Sequence, residues 1–168
     1  MKITELKTFP VVDTEGNQYF FVKVYTDAGI DGIGEVGIRN WGNAIGKAVE
    51  HLSEVLVGGD PWSTERHWQK MFRGNFFPAD KVYMCAISAI DIALWDLFGK
   101  RMGEPTYNML GGLSRDKIKV YNTCAGYSYG VNRPGNYEPG SVDYRPDGPY
   151  EDQHAFLTDP VGLAKSLH

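Results

Sequence analysis

Apolar and polar residues alternate with a period of two at the start of the chain and move to helical spacing further on. Ile3 to Val12 reads as an extended run, ended by the polar cluster Asp13-Thr14-Glu15-Gly16-Asn17. Tyr19 to Thr26 places Phe21, Lys23 and Tyr25 on one side of a strand and Phe20, Val22 and Val24 on the other. Asp27-Ala28-Gly29 turns the chain, because glycine accepts a positive φ cheaply. Ile30 to Val36 then completes an antiparallel meander.

Helical spacing follows. Asn40 is placed to cap a helix running to about Val57, with Ile45, Val49, Leu52 and Leu56 on its core face and Gly58-Gly59 stopping it. Asp60 is expected to cap a second helix with Pro61 at its first position, Trp68 and Phe72 sharing one face. The longest helix runs from about Asp80 to Lys100, its buried stripe marked by Tyr83, Ile87, Ile90, Leu94 and Leu97. A last short helix starts near Pro105 and ends at Gly111-Gly112. Strands followed by a run of helices predict an α+β domain over residues 1–114.

After Arg115 the character changes. Ile118 to Cys124 is a short β-rich run. Residues 126–158 then hold five glycines, four prolines and five tyrosines without helical period, the composition of a long functional or disordered loop. Asp159 caps a new helix at Pro160. One strand, a loop and the start of a helix cannot cover a sheet edge by themselves, so residues 115–168 read as the opening of a βα unit.

Composition narrows the function classes. With 17 basic and 21 acidic residues, the net charge is −4 and no basic run exists, which argues against nucleic acid and against an anionic membrane surface. Lys2-Ile3-Thr4-Glu5 does not open a secretory signal, and no apolar run approaches the length of about 18 residues that a membrane span needs. Cys85 and Cys124 lack both a disulfide framework and metal-ligand spacing. The expectation is a soluble, reduced, cytoplasmic protein.

Candidate chemistry is sparse. Gly32-Ile33-Gly34-Glu35-Val36-Gly37 fits the dinucleotide fingerprint G-x-G-x-x-G. It lies on the third strand of a meander rather than after a parallel strand, and its acidic partner would be Glu54, in mid-helix. Glycines that let a strand approach a helix closely are the better reading. Asp91 and Asp96 are five apart and do not share a helix face. Asp96 and Lys100 form an i,i+4 pair, while Asp91, inside the apolar stretch, is expected to bond backbone or indole nitrogens. His51, His67, His154 and His168 are scattered, which suggests packing or surface roles. Ser88 and Ser128 have no histidine partner near in sequence, so a serine triad is unsupported. Tyr127, Tyr129, Tyr137, Tyr144 and Tyr150, interleaved with Arg133 and Arg145, fit either a polar ligand site or a loop packed by its own rings.

Several segments together resemble the enolase superfamily, in its mandelate racemase and muconate lactonizing branch. They are Thr26-Asp27-Ala28-Gly29 through Gly32-Ile33-Gly34-Glu35, then Leu56-Val57-Gly58-Gly59-Asp60-Pro61. The most specific is Ala86-Ile87-Ser88-Ala89-Ile90-Asp91-Ile92-Ala93-Leu94-Trp95-Asp96, followed by Gly99-Lys100, Gly103-Glu104-Pro105 and Leu110-Gly111-Gly112. The resemblance covers residues 1 to about 125. It implies an amino-terminal capping domain over 1–114, and over 115–168 the first strand and helix of a truncated (β/α)7β TIM-like barrel with a long loop at 126–158.

The reaction it implies begins with proton removal beside a carboxylate, magnesium stabilising the enediolate. Metal ligands and most bases come from later barrel strands in this family. The expectation is therefore no catalytic or metal-binding residue in this chain, with Mg2+ bound by residues outside it. The likeness is to acid-sugar dehydratases. Asn17, Arg39, Asn40, Asn122 and Thr123 then stand where those enzymes meet substrate, and the 13-to-18 turn takes the place of a mobile specificity loop. Implied partners are a sugar acid, the remainder of the barrel and, at full length, further copies of the same chain. A racemase or cycloisomerase of the same superfamily would suit a more apolar turn than Asp13, Glu15, Asn17 and Gln18 provide. A non-catalytic binding or assembly module is the reading from another class.

Overall fold

The computed structural model describes residues 1–13, 18–38, 41–74, 76–77, 79–120 and Val161. The chain divides into two compact units, Met1–Ser114 and Arg115–His168. In the first, β1 (Ile3–Val12), β2 (Gln18–Thr26) and β3 (Asp31–Glu35) precede α1 (Gly42–Leu56), α2 (Thr64–Arg73), α3 (Lys81–Met102) and α4 (Thr106–Met109). The strands form an antiparallel sheet in the order β1-β2-β3, the meander that the alternation predicts.

The period of two decides which sheet face is covered. Val22, Val24 and Thr26 of β2 are buried, while Phe21, Lys23 and Tyr25 on the opposite face are half-exposed. The Thr26 hydroxyl donates to the Ile30 carbonyl at 2.6 Å, and Gly29 takes the turn at φ +71°. The meander therefore closes where the Asp-Ala-Gly sequence signals it.

Across β2, Val24 pairs with Gly32 and Val22 with Gly34. A Cβ on Gly32 would stand 1.9 Å from the Ala93 carbonyl oxygen, and one on Gly34 2.0 Å from that of Ala89. These glycines let β3 lie directly on α3, which is what the fingerprint-like run does in this fold. The outer edge of β3 is covered from the same helix. Asp96 accepts the Ile33 N–H at 2.8 Å and pairs with Lys100 at 2.8 Å, while Lys100 donates to the Asp31 carbonyl at 3.0 Å. The i,i+4 pair thus satisfies edge groups that would otherwise face water or another strand.

The core lies between sheet and helices. α3 contributes Ala86, Ile87, Ala89, Ile90, Ala93, Leu94 and Leu97, and α1 contributes Ile45, Ala48, Val49, Leu52 and Leu56. Burying each large side chain there contributes about 1.5–3 kcal/mol. By length and composition α3 could cross a membrane. Its inner face instead forms the centre of this core, and Asp91 and Asp96 interrupt its apolar run. Asp80 caps it, accepting the Tyr83 N–H at 3.0 Å, and Gly103 ends it at φ +69°.

Two expected helix starts are corrected. The first carbonyl of α1 to take an intrahelical bond is that of Trp41, at 3.0 Å from the Ile45 N–H, so Trp41 rather than Asn40 is the cap, without a side-chain bond. Asp60-Pro61-Trp62-Ser63 forms a turn instead of a helix start: the Ser63 N–H donates to the Asp60 carbonyl at 3.0 Å and the Asp60 carboxylate accepts the Trp62 N–H at 3.2 Å. Proline's fixed φ suits the second turn position as well as a first helical turn, and α2 begins after Ser63.

In the second unit, Ile118 and Val120 are 82% exposed and in no strand. The expected strand thus does not form over its described part, since a ladder needs a partner and the described residues of that unit supply none. Residues 121–124 and the 126–158 segment lie outside the described residues. Of the closing helix only Val161 is described, and it is helical.

Candidate functional site

One end of the sheet gathers the segments that the sequence marks for recognition. Val12 pairs with Gln18 at the last rung of β1 and β2. β3 runs so that Glu35 stands opposite Phe21, and Val36 donates to the Phe20 carbonyl at 2.9 Å. The residues flanking Asn17 and those flanking Arg39 and Asn40 therefore leave the sheet at the same end. Tyr19 Oη donates to the Asp13 carboxylate at 3.4 Å there. Asn17, Arg39, Asn40, Asn122 and Thr123 themselves lie outside the described residues.

The start of α1 stands at that end too. Its first turn holds no acidic residue, so its dipole favours an anion nearby. A groove of about 470 Å³ runs between β1 and α1, lined by Phe20, Gly42 and Gly46 among others, with Lys7 and Lys47 also on it. A Cβ on Gly42 would come within 2.9 Å of the Phe20 ring, so this glycine lets the ring lie on the helix. Neither lysine is uncommitted: Lys47 pairs with Glu50 at 2.6 Å and Lys7 with Glu5 at 2.9 Å.

On the sheet's outer face, Lys7 and Lys23 stand over the Tyr25 ring at 5.6 and 5.0 Å from its centroid. Donation to the Glu5 carboxylate holds the Lys7 ammonium above its ordinary pKa, and donation to that of Asp31, at 2.9 Å, does the same for Lys23.

A second hollow, of about 310 Å³, lies between α2 and α3 and is lined by Thr64, Glu65, Trp68, Asp91 and Trp95. Burial, and then the charge of Glu65, push the Asp91 carboxyl above the ordinary carboxylate range. Among the described residues Asp91 has none of the backbone or indole bonds expected of it. Sequence reading passed over this hollow. The 91/95 spacing was its visible signal, since it puts an acid and an indole on one helix face.

The histidines divide. His51 meets the Tyr83 ring at 6.2 Å between centroids. His67 is buried against Gly59, with Nε2 2.8 Å from the Asp60 carbonyl oxygen and Nδ1 without a partner. It is a packing residue of the α1–α2 corner.

Among the described residues no group of three or more histidine, cysteine, aspartate or glutamate side chains stands together. A hard divalent ion asks for several oxygen ligands at one point. The described residues therefore do not fit the magnesium that the resemblance implies.

This meander-and-helix unit is that of a known class of domain. Residues 7–111 match the mandelate racemase / muconate lactonizing enzyme N-terminal domain, and the chain belongs to that family. It is 42% identical over 126 residues to a D-galactonate dehydratase of Variovorax paradoxus (strain S110), covering 75% of this chain and 32% of that protein. It is 40% identical over 145 residues to one of Xanthomonas oryzae pv. oryzae (strain PXO99A), covering 86% and 36%. Among solved structures, a member of the enolase superfamily from Salmonella Typhimurium aligns with TM-score 0.66 at 39% identity, over 71% of this chain and 32% of that one. An enolase from Agrobacterium radiobacter with bound Na and L-malate aligns with TM-score 0.66 at 33% identity, over 72% and 30%. The chain spans about a third of the length of the curated relatives it matches.

Proposed function

We propose that this chain is the capping portion of an acid-sugar dehydratase, a lyase that removes a proton beside a carboxylate and then expels water. The observation that carries the reading is the 42% identity over 126 residues to a protein named D-galactonate dehydratase. Supporting it, the sheet brings the flanks of two polar segments and the acid-free start of α1 to one end, which suits an anionic, hydroxyl-rich ligand. In this reading Asn17, Arg39, Asn40, Asn122 and Thr123 contact the sugar acid. The proton-abstracting base and the ligands of Mg2+ belong to a barrel outside these residues. Recognition and chemistry are then divided between two parts of one enzyme.

The test is dehydration of D-galactonate with magnesium, followed as formation of the 2-keto acid. A longer protein joining this chain to a barrel should turn over, and the 168-residue chain alone should not. Turnover by the chain alone would overturn the division of labour, and inertness of the longer protein toward a panel of sugar acids would overturn the substrate class.

A further inference from the structure

We draw no further inference here: the strongest candidate, the groove between β1 and the start of α1, rests on a helix N-terminus and a pair of glycines with no second observation, since its lysines are already paired with Glu5 and Glu50 and nothing in the structure shows what occupies it.

Discussion

Replacing glycines one at a time by alanine separates three physical costs within this domain. At Gly32 the new Cβ would lie 1.9 Å from the Ala93 carbonyl oxygen and 2.8 Å from the Leu97 Cβ, whereas ordinary contact begins at 3.4 Å. The carbonyl must therefore retreat by about 1.5 Å, the difference 3.4 − 1.9. It belongs to the backbone of the core helix, so no side-chain rotation relieves the clash. Overpacking costs roughly 1–3 kcal/mol and at times more, and a backbone obstacle places Gly32→Ala at or above the upper figure. Gly29 has φ +71° and no atom within 4 Å of the new carbon; its alanine meets only the left-handed backbone penalty, about 1–2 kcal/mol. Gly37 has neither a positive φ nor a neighbour within 4 Å, and Gly37→Ala should fall within about 0.5 kcal/mol of the parent.

Urea unfolding followed by tryptophan fluorescence resolves these values. At a slope near 1–3 kcal/mol per molar, a loss of about 3 kcal/mol lowers the midpoint by roughly 1–3 M. The Gly32→Ala, Gly34→Ala double variant should lose less than the sum of its parts, because one outward movement of α3 relieves both clashes. If Gly32→Ala unfolds with the parent, or is less damaging than Gly29→Ala, the strand-on-helix contact is not what requires glycine there.

Other outcomes follow from the same geometry. Leu94→Ala should destabilise by about 2–5 kcal/mol through lost transfer energy and a residual cavity, read in the same urea series. Asp96→Ala strips the Ile33 N–H of its acceptor and Lys100 of its ion-pair partner and should cost about 1–3 kcal/mol, with Asp96→Asn retaining part of it. Asp91 has a raised pKa in the folded chain, so on acidification the native state binds its proton before the unfolded state does. This group therefore adds stability as pH falls through its raised folded value toward the ordinary carboxylate range and subtracts it above; Asp91→Asn should flatten that part of a stability-against-pH curve. In the longer, barrel-bearing protein, Asn17→Ala or Arg39→Ala should change substrate preference in a sugar-acid screen while leaving the melting temperature within a few degrees.

The elements most legible in the sequence are those whose signal is repeated along the chain. β2 shows four turns of alternation and its buried side is the one the pattern indicates. α3 carries its stripe through Ile87, Ile90, Leu94 and Leu97, and glycines with positive φ end helices at Gly58 and Gly103. Single-residue signals fared worse. Asn40 and Asp60-Pro61 have the chemistry of helix starts, yet a proline-containing turn and a cap without a side-chain bond use the same residue types. The covering of the β3 edge by Asp96 and Lys100 was invisible for a different reason: local spacing shows the i,i+4 pair, but only tertiary packing brings it to the Asp31 and Ile33 backbone. The Glu65–Asp91 hollow unites two helices distant in sequence and was missed on the same ground. The candidate substrate residues were named by resemblance, and the ladder adds where the flanks of three of them emerge.

The placement of charge in this domain follows one rule that its chain order alone would not suggest. Lys23 with Asp31, and Lys100 with Asp96, tie β3 to its neighbours, so the acids there are matched inside the domain. Those pairs close a sheet edge and a sheet face that a small meander would otherwise leave open to another strand. On the outer side of α3, Asp91 lines a hollow with Glu65, Trp68 and Trp95. The closed edge suits a small meander, which must refuse further strands on its sheet.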